Sequence, residues 1–296
     1  MKVRKIKDWL GSFAFALPAL FFYCVFLVVP IISTVNISLH KWNGADPEMT
    51  WVGAKNYIKV FSDPVFYDAI TNNIIWIAVT VCGPLVLGLI LAVVLSQPWI
   101  KGRMVFRLTY FMPNVISLTA VGIIWSWIVS LQFGIWKKIF TALGMESMAS
   151  INFLGDGDIV IWFLVFVGSW TCFGFNMVVF LAALQGVDSS YLEVAKLEGA
   201  NSFQSFFMVT VPMIKGTIVL LVSNSMIGSF KVFDLIYIMT KGGPYHSSEV
   251  VATYMYNQTF VLNDYGYGSA LAVTLAVIIG ICSATFLKFA DKDITA

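Results

Sequence analysis

Lys231 and Asp234 are charged side chains within a long apolar stretch of the chain. They are three residues apart, so on a helix they share one face and can form an ion pair. Charged groups in a membrane usually face a protein interior or a watery cavity, so these two are candidates for a transport pathway. Asn224, Ser225 and Ser229 precede them by one to two helical turns. A second interpretation is that Lys231 points outward, Asp234 neutralises it, and the polar groups only hold helices together.

The arrangements typical of enzymes are missing from this sequence. His40 and His246 are the only two histidines, and neither belongs to an H-E-x-x-H motif. No Ser/His/Asp nucleophile setting and no G-x-x-x-x-G-K-[ST] phosphate loop occurs. The four cysteines lie in apolar stretches without metal-ligand spacing. The sequence therefore predicts a protein that is not an enzyme, has no metal site and does not bind ATP through a phosphate loop.

A second informative segment is the run E-V-A-K-L-E-G-A at 193–200, which lies in a polar break between two apolar stretches. Ser190 and Glu193 match an S-x-x-E capping box, which predicts a helix from Tyr191. Gly199 is expected to end this helix in the left-handed conformation.

Asn201 and Gln204 predict another short helix, which contains Phe206 and runs to Pro212. A helix–glycine–helix segment of this kind is suited to a groove on a partner protein.

The composition indicates that the whole chain is embedded in a membrane. Hydrophobic residues make up 59% of it and charged residues 11%, whereas a soluble domain has about 25% charged residues. A helix needs roughly 20 apolar residues to cross a bilayer. We therefore predict an all-α membrane protein with a short N-terminus (1–10), one transmembrane domain (11–296) and a polar loop (185–215). Six spans are predicted near 11–33, 73–96, 108–131, 159–184, 216–239 and 269–289.

The distribution of lysine and arginine predicts the orientation of these spans. Segments 1–10, 97–107, 185–215 and the C-terminal tail hold eleven of these residues, including all three arginines, and the opposite segments hold six. Cytoplasmic segments carry the excess of positive charge. Both termini and the loop at 185–215 are therefore predicted to be cytoplasmic. The net charge of +2 includes no basic stripe, so no nucleic acid partner is predicted.

The run at 193–200, continued by Phe206, Val209 and Pro212, resembles the EAA loop of permeases from binding-protein-dependent ABC importers. That pattern reads E-A-A-x-x-x-G-A, followed by an aromatic residue, an aliphatic residue and a proline. This chain departs from it at Val194, where alanine is usual, at Glu198, where aspartate is common, and at Gly216, where a second proline often stands.

Three further segments resemble sugar-importer permeases of carbohydrate uptake family 1, the MalF/UgpA-like group. They are F-D-L-I-Y at 233–237 with T-K-G-G-P at 240–244, N-Y-I-K-V-F at 56–61, and F-G-F-N-M at 173–177. Unlike the maltose permease of this group, the chain lacks a large extracytoplasmic insertion and extra N-terminal spans.

The resemblance implies a type I ABC importer permease (MetI-like) fold with a cytoplasmic coupling helix, in a bacterial plasma (inner) membrane. It also implies a second MalG-like permease that completes the pore, two ATP-binding subunits that carry ATP and Mg, and an extracytoplasmic solute-binding protein. The cargo would be a sugar, an oligosaccharide or a sugar derivative, moved into the cytoplasm. The alternative from another class is a self-sufficient ion-coupled carrier or channel, which would need no partner for the EAA loop.

The resemblance also assigns residues to two roles. The residues expected to couple the chain to the ATPase are Glu193, Ala195, Glu198, Gly199, Ala200, Phe206 and Pro212. Those expected along the substrate pathway, in or beside the fourth and fifth spans, are Gly168, Cys172, Phe175, Asn176, Ser225, Ser229, Lys231 and Asp234.

Overall fold

The computed structural model describes residues 16–294, with side chains through residue 290. The predicted N-terminal segment 1–10 and the first residues of the first span lie outside this range. In the first part of the chain, the elements are α1 (Ala16–Ser38), β1 (His40–Lys41), β2 (Thr50–Trp51), α2 (Lys55–Ser62), α3 (Pro64–Cys82), α4 (Pro84–Ser96), α5 (Arg103–Val115), α6 (Leu118–Ile128), α7 (Ile135–Ala142) and α8 (Glu146–Ala149). The remainder forms α9 (Val160–Gln185), α10 (Ser189–Leu197), α11 (Ser202–Ser205), α12 (Val211–Met213), α13 (Lys215–Phe230), α14 (Asp234–Met239), α15 (Val251–Tyr256) and α16 (Tyr265–Ile294).

The chain folds as two compact units. The first contains the described residues up to Asp63 together with Met255–Ala276. In it, β1 and β2 pair antiparallel. The ammonium of Lys59 lies 3.1 Å from the carboxylate of Asp264 and 3.8 Å from the ring centre of Tyr267. The Tyr267 hydroxyl donates a 2.6 Å hydrogen bond to Asp63, so polar contacts join the two separate parts of this unit.

The second unit contains Pro64–Tyr254 and the chain from Val277 onward, and α9 is its central helix. In the most apolar part of α9, 56% of the residues are buried, against 28% in the span formed by α3 and α4. Such a helix is apolar on all sides because protein surrounds most of it. At Gly88 on α4, an added Cβ would lie 2.8 Å from the Cβ of Asn176, so glycine permits α4 and α9 to pack closely.

The predicted all-α membrane architecture is confirmed. Within the described residues, five helical segments are long and apolar enough to cross a bilayer, and a bent pair of helices brings the number to six. The five are Ala16–Ser38, Pro64–Ser96, Val160–Gln185, Lys215–Met239 and Tyr265–Ala290.

The third predicted span differs from a straight helix. Near 108–131, where the sequence predicts one span, α5 and α6 meet at an angle of 94°. Ile116 and Ser117 are extended at the bend, and Ser117 caps α6 by accepting a 3.3 Å hydrogen bond from the N–H of Ala120. Pro113 lies one turn before the bend and has no N–H, so the helix lacks one backbone hydrogen bond there and bends more easily.

Candidate functional site

A cavity of about 270 Å³ lies in the second unit, among α3, α9, the bend between α5 and α6, and the end of α13. All eight residues predicted for the substrate pathway line this cavity: Gly168, Cys172, Phe175, Asn176, Ser225, Ser229, Lys231 and Asp234. The structure therefore brings together residues that are up to 66 positions apart (234 − 168). Their part in substrate passage stays a prediction.

The fifth span is broken at this cavity, which the sequence did not predict. Helix α13 ends at Phe230 with Lys231 as its C-cap, Val232 and Phe233 are not helical, and α14 begins at Asp234. Lys231 and Asp234 therefore do not share the face of one continuous helix. Within the described residues no ion pair joins them, and both side chains are exposed. Non-helical backbone at membrane depth is tolerated where it lines a cavity or is buried in protein, and both charged residues line the cavity.

Hydrogen bonds from α3 hold the end of α13 in place. The amide nitrogen of Asn73 donates a 2.9 Å hydrogen bond to the carbonyl of Ser229, and its oxygen accepts a 3.1 Å bond from the N–H of Val251. The hydroxyl oxygens of Ser229 and Thr80 lie 2.9 Å apart. The Ser229 hydroxyl also donates to the carbonyl of Ser225 at 2.7 Å. Ser229 is thus a fixed, buried part of the cavity wall.

The sequence reasoning missed four lining residues that lie outside the fourth and fifth spans: Trp76, Thr80, Asn114 and Leu118. Trp76 and Thr80 lie on α3, and the other two flank the bend between α5 and α6. The signal that points to α3 is a pair of asparagines, Asn72 and Asn73, inside an otherwise apolar stretch, because polar residues within a membrane usually have a structural or functional partner.

The glycines of α9 serve close packing of helices. A Cβ on Gly168 would lie 2.7 Å from Cζ2 of Trp76, and one on Gly174 would collide with the carbonyl oxygen of Tyr110. Gly168 therefore admits the indole ring that forms part of the cavity wall.

The second candidate site is α10, which contains most of the run at 193–200. Its N-terminal cap differs from the predicted pair of Ser190 and Glu193. Asp188 is the N-cap, its carboxylate accepts a 2.9 Å hydrogen bond from the N–H of Ser190, and the helix begins at Ser189. Aspartate is a strong N-cap because its carboxylate accepts a free N–H of the first turn.

The same hydrogen bond lowers the pKa of the Asp188 carboxyl, with a further contribution from the Ser190 hydroxyl. A folded-state pKa below the unfolded value means that the cap stabilises the helix above the ordinary aspartate pKa. That stabilisation is lost as the pH falls through the lowered value. At neutral pH the cap is therefore fully formed.

The C-terminal end of α10 explains the spacing of the motif. Gly199 is left-handed (φ +86°), as predicted, and its N–H donates a 3.1 Å bond to the carbonyl of Lys196. The N–H of Ala200 donates a 2.9 Å bond to the carbonyl of Ala195. These two bonds are the Schellman motif, which needs glycine at the left-handed position and favours an apolar pair at the positions of Ala195 and Ala200.

The predicted second cap is confirmed. Asn201 and Gln204 exchange two 2.9 Å hydrogen bonds between side chain and backbone, forming a capping box at the start of α11. A π-helical turn at Phe206–Thr210 follows, and Pro212 lies in α12. Phe206 is half-buried and Pro212 is exposed.

The outer surface of this segment carries exposed apolar side chains next to charged ones. Leu197 is 88% exposed, and Tyr191 and Val194 are also exposed, while Glu193 and Glu198 are exposed beside them. The described part of the chain leaves these three apolar side chains uncovered. An exposed apolar surface with a polar rim is typical of a protein-binding site. We call Tyr191, Val194 and Leu197 the outer face of α10.

Comparison with known proteins shows which sequences and folds this chain is similar to. The chain is 34% identical over 278 residues to the probable ABC transporter permease protein YurN of Bacillus subtilis, covering 94% of each chain. It is 31% identical over 287 residues to the lactose transport system permease protein LacF of Rhizobium radiobacter, covering 96% of this chain and 93% of that protein. A subunit in the crystal structure of a bacterial ABC transporter involved in the import of the acidic polysaccharide alginate has the same fold. Its TM-score is 0.85 at 21% identity, over 99% of both chains.

The family described as binding-protein-dependent transport system inner membrane component matches residues 84–294, which include α9, α10, the broken fifth span and α16. With this match over most of its length, the chain belongs to that family and is a permease of the ABC transporter type.

Proposed function

We propose that this chain is one of two permease subunits of an ATP-driven importer that moves a sugar or oligosaccharide into the cytoplasm. The observation that carries the proposal is the outer face of α10, because a lone carrier would have no need of an exposed apolar helix face in water. In this proposal the outer face of α10 docks in a groove of an ATP-binding subunit. The ATP and Mg then belong to that subunit.

The proposed cargo rests on the relatives and on the chemistry of the cavity. LacF is named for lactose transport, and the alginate importer moves another carbohydrate. Aromatic rings beside amides and hydroxyls suit a sugar, which has apolar ring faces and many hydroxyl groups. Here Trp76 and Phe175 supply rings, and Asn176 and Asn224 supply amides. A second permease would complete the passage, and an extracytoplasmic solute-binding protein would deliver the sugar.

The proposed mechanism links α10 to the cavity through the chain itself. Three residues separate α10 from the end of α9, and the segment 198–214 connects it to α13. Both α9 and α13 line the cavity, so a movement of α10 imposed by the ATPase subunit would be passed to two of its walls. Closure of the ATPases on ATP would move the helices as rigid bodies, so that the cavity, first open to one side of the membrane, becomes open to the other. The break after Lys231 is a place where α13 and α14 can change their angle.

The test is reconstitution of the chain with its second permease, two ATPase subunits and solute-binding protein in liposomes. We expect ATP-dependent uptake of the sugar that the solute-binding protein binds, and no uptake when the ATPase subunits are omitted. Uptake by this chain alone, driven by an ion gradient, would instead establish the self-sufficient carrier.

A further inference from the structure

A second cavity, of about 410 Å³, lies between α10 and the ends of α4 and α9. We propose that it binds a phosphate-bearing anion and that this ligand ties α10 to the membrane-spanning helices. We call it the inner cavity. It is lined by Val93, Ser96, Gln97, Leu184, Val187, Ser189, Leu192, Lys196, Ala200, Ser202, Ser205, Phe206 and Thr210.

The inner cavity lies on the side of α10 away from its outer face. Ser189, Leu192 and Lys196 line it, and their spacing of three and four residues places them on one face of the helix. Tyr191, Val194 and Leu197 do not line it and point elsewhere around the helix. A ligand in the inner cavity and a partner on the outer face can therefore bind at the same time.

The polar lining offers hydrogen-bond donors and one positive charge. Lys196 is the charged lining residue, and no carboxylate of the described residues lines this cavity. Five hydroxyl groups and the amide of Gln97 surround it. A phosphate group is negatively charged and has several acceptor oxygens, so an ammonium group and hydroxyl groups can bind it by charge attraction and hydrogen bonds. The hydroxyl of Ser96 and the amide of Gln97 already donate to the carbonyl of Val93, at 2.7 and 3.2 Å. Lys196 and the remaining hydroxyls of the lining are therefore the donors available to a ligand.

Ser205 independently indicates a missing ligand. The residue is only 7% exposed, and its hydroxyl has no hydrogen-bond partner among the described residues. Buried hydroxyls in proteins are nearly always paired, so an unpaired one lining a polar cavity indicates that a polar ligand group completes it. Lys196 and Ser205 lie on opposite sides of the Schellman turn at Gly199, so a bound anion would join both halves of the segment.

Two sources carry this chemistry: the headgroup of an anionic lipid, or a soluble phosphate compound. This site goes beyond the proposed function, since it is separate from the cavity assigned to the sugar. Its test measures binding and not uptake, so either proposal can fail without the other.

The soluble source is tested with the purified full chain in phosphatidylcholine nanodiscs, without the ATP-binding subunits, whose nucleotide sites would also bind phosphate. Inorganic phosphate is titrated and its binding is followed by ³¹P NMR line broadening. We expect saturable binding whose Kd rises by about tenfold or more in Lys196→Gln, because a charge-assisted hydrogen bond is lost. Ser205→Ala is expected to raise it by about threefold. The matched controls are Lys101→Gln, an exposed lysine outside the cavity, and Ser169→Ala, another buried unpaired hydroxyl outside it.

The lipid source is tested by adding phosphatidylglycerol to the nanodiscs and counting retained lipids by native mass spectrometry. Retention that Lys196→Gln abolishes and Lys101→Gln preserves would support the site with a lipid as its ligand. Phosphate binding that depends on Lys196 and Ser205 would support it with a soluble ligand. The proposal is overturned if neither probe binds, or if both bind equally well to Lys196→Gln and to the unchanged protein.

Discussion

Gly199 shows how one backbone conformation can set where a helix ends and so where its exposed face lies. Its left-handed φ of +86° closes the Schellman motif and turns the chain from α10 toward α11. An added Cβ there would meet open space, so the requirement for glycine is conformational and not steric. The pattern of Ala195, Gly199 and Ala200 is therefore explained by the Schellman motif that ends α10.

We predict that Gly199→Asp leaves the chain in the membrane but separates ATP hydrolysis from uptake. A left-handed residue other than glycine costs about 1 kcal/mol, which favours opening of the turn and a shift of the outer face of α10. The amount of sugar taken up per ATP hydrolysed is expected to fall on the order of tenfold, because coupling between two sites typically changes an equilibrium by that factor.

The matched control for this change is Gly144→Asp. Gly144 is also left-handed (φ +72°) and also faces open space, but it lies in the predicted extracytoplasmic loop after α7. Normal uptake per ATP by Gly199→Asp, measured in the reconstituted transporter, would contradict the coupling role.

At the 270 Å³ cavity, Gly228 is the residue best placed to test the substrate pathway. It lines the cavity, and a Cβ there would meet nothing within 4 Å. Gly228→Trp is therefore expected to place an indole ring in the cavity, and to abolish uptake while the ATPase subunits still co-purify. Ser229 is a poorer choice for the same test because it is buried against Thr80.

Gly280→Trp is the control, since Gly280 on α16 also faces open space and does not line the cavity. Uptake at the normal rate by Gly228→Trp, with the protein assembled, would show that sugar passes elsewhere.

At the scale of elements, the ends and breaks of helices form both candidate sites of this protein. The cap at Asp188 and the Schellman end at Gly199 delimit α10, which is short enough to move as one rigid piece. The bend between α5 and α6 and the break between α13 and α14 both open onto the same cavity. Irregular backbone thus occurs where polar groups can face a cavity instead of lipid.

Leu197 permits a test of α10 as a docking element. It is 88% exposed, so Leu197→Glu is expected to leave the fold unchanged but to weaken binding of the ATPase subunit by about tenfold. Binding would be measured by titrating the purified ATPase onto the two permeases in nanodiscs.

Leu143→Glu provides the comparison, because Leu143 is 65% exposed and lies beyond α7, on the side predicted to face away from the cytoplasm. Equal ATPase affinity for the two variants would rule out the outer face of α10 as the contact.

At the scale of the whole molecule, the proposal requires α10 and α7 to lie on opposite sides of the membrane. The predicted orientation follows from the excess of lysine and arginine in 1–10, 97–107, 185–215 and the C-terminal tail. Labelling of single cysteines in the intact chain tests this orientation directly.

We predict that a cysteine at position 197 reacts with a membrane-impermeant maleimide in inside-out vesicles only, and that one at position 143 reacts in right-side-out cells only. The four native cysteines, all unpaired, would first be replaced by alanine. The opposite labelling pattern would place α10 outside the cytoplasm and remove the basis for its contact with an ATPase.

The sequence by itself determined the features that depend on neighbours a few residues apart. Apolar stretches of sufficient length indicated the spans, and the glycine at 199 and the pair of Asn201 and Gln204 indicated the helix end and the next cap, because these hydrogen bonds close within six residues. The choice of Asp188 over Ser190 as N-cap is also local, but several adjacent residues could have served, and the sequence did not discriminate among them.

Only the tertiary structure decided where the fifth span breaks and which side chains form the cavity with it. Asn73 holds the carbonyl of Ser229 across 156 positions of sequence, and Trp76 fits against Gly168 because that residue has no side chain. Such contacts depend on how α3, α9 and α13 pack. The pattern of apolar residues within one helix does not identify which other helix packs against it. The local pattern therefore predicted α10 almost completely, whereas the cavity required the packing of helices from distant parts of the chain.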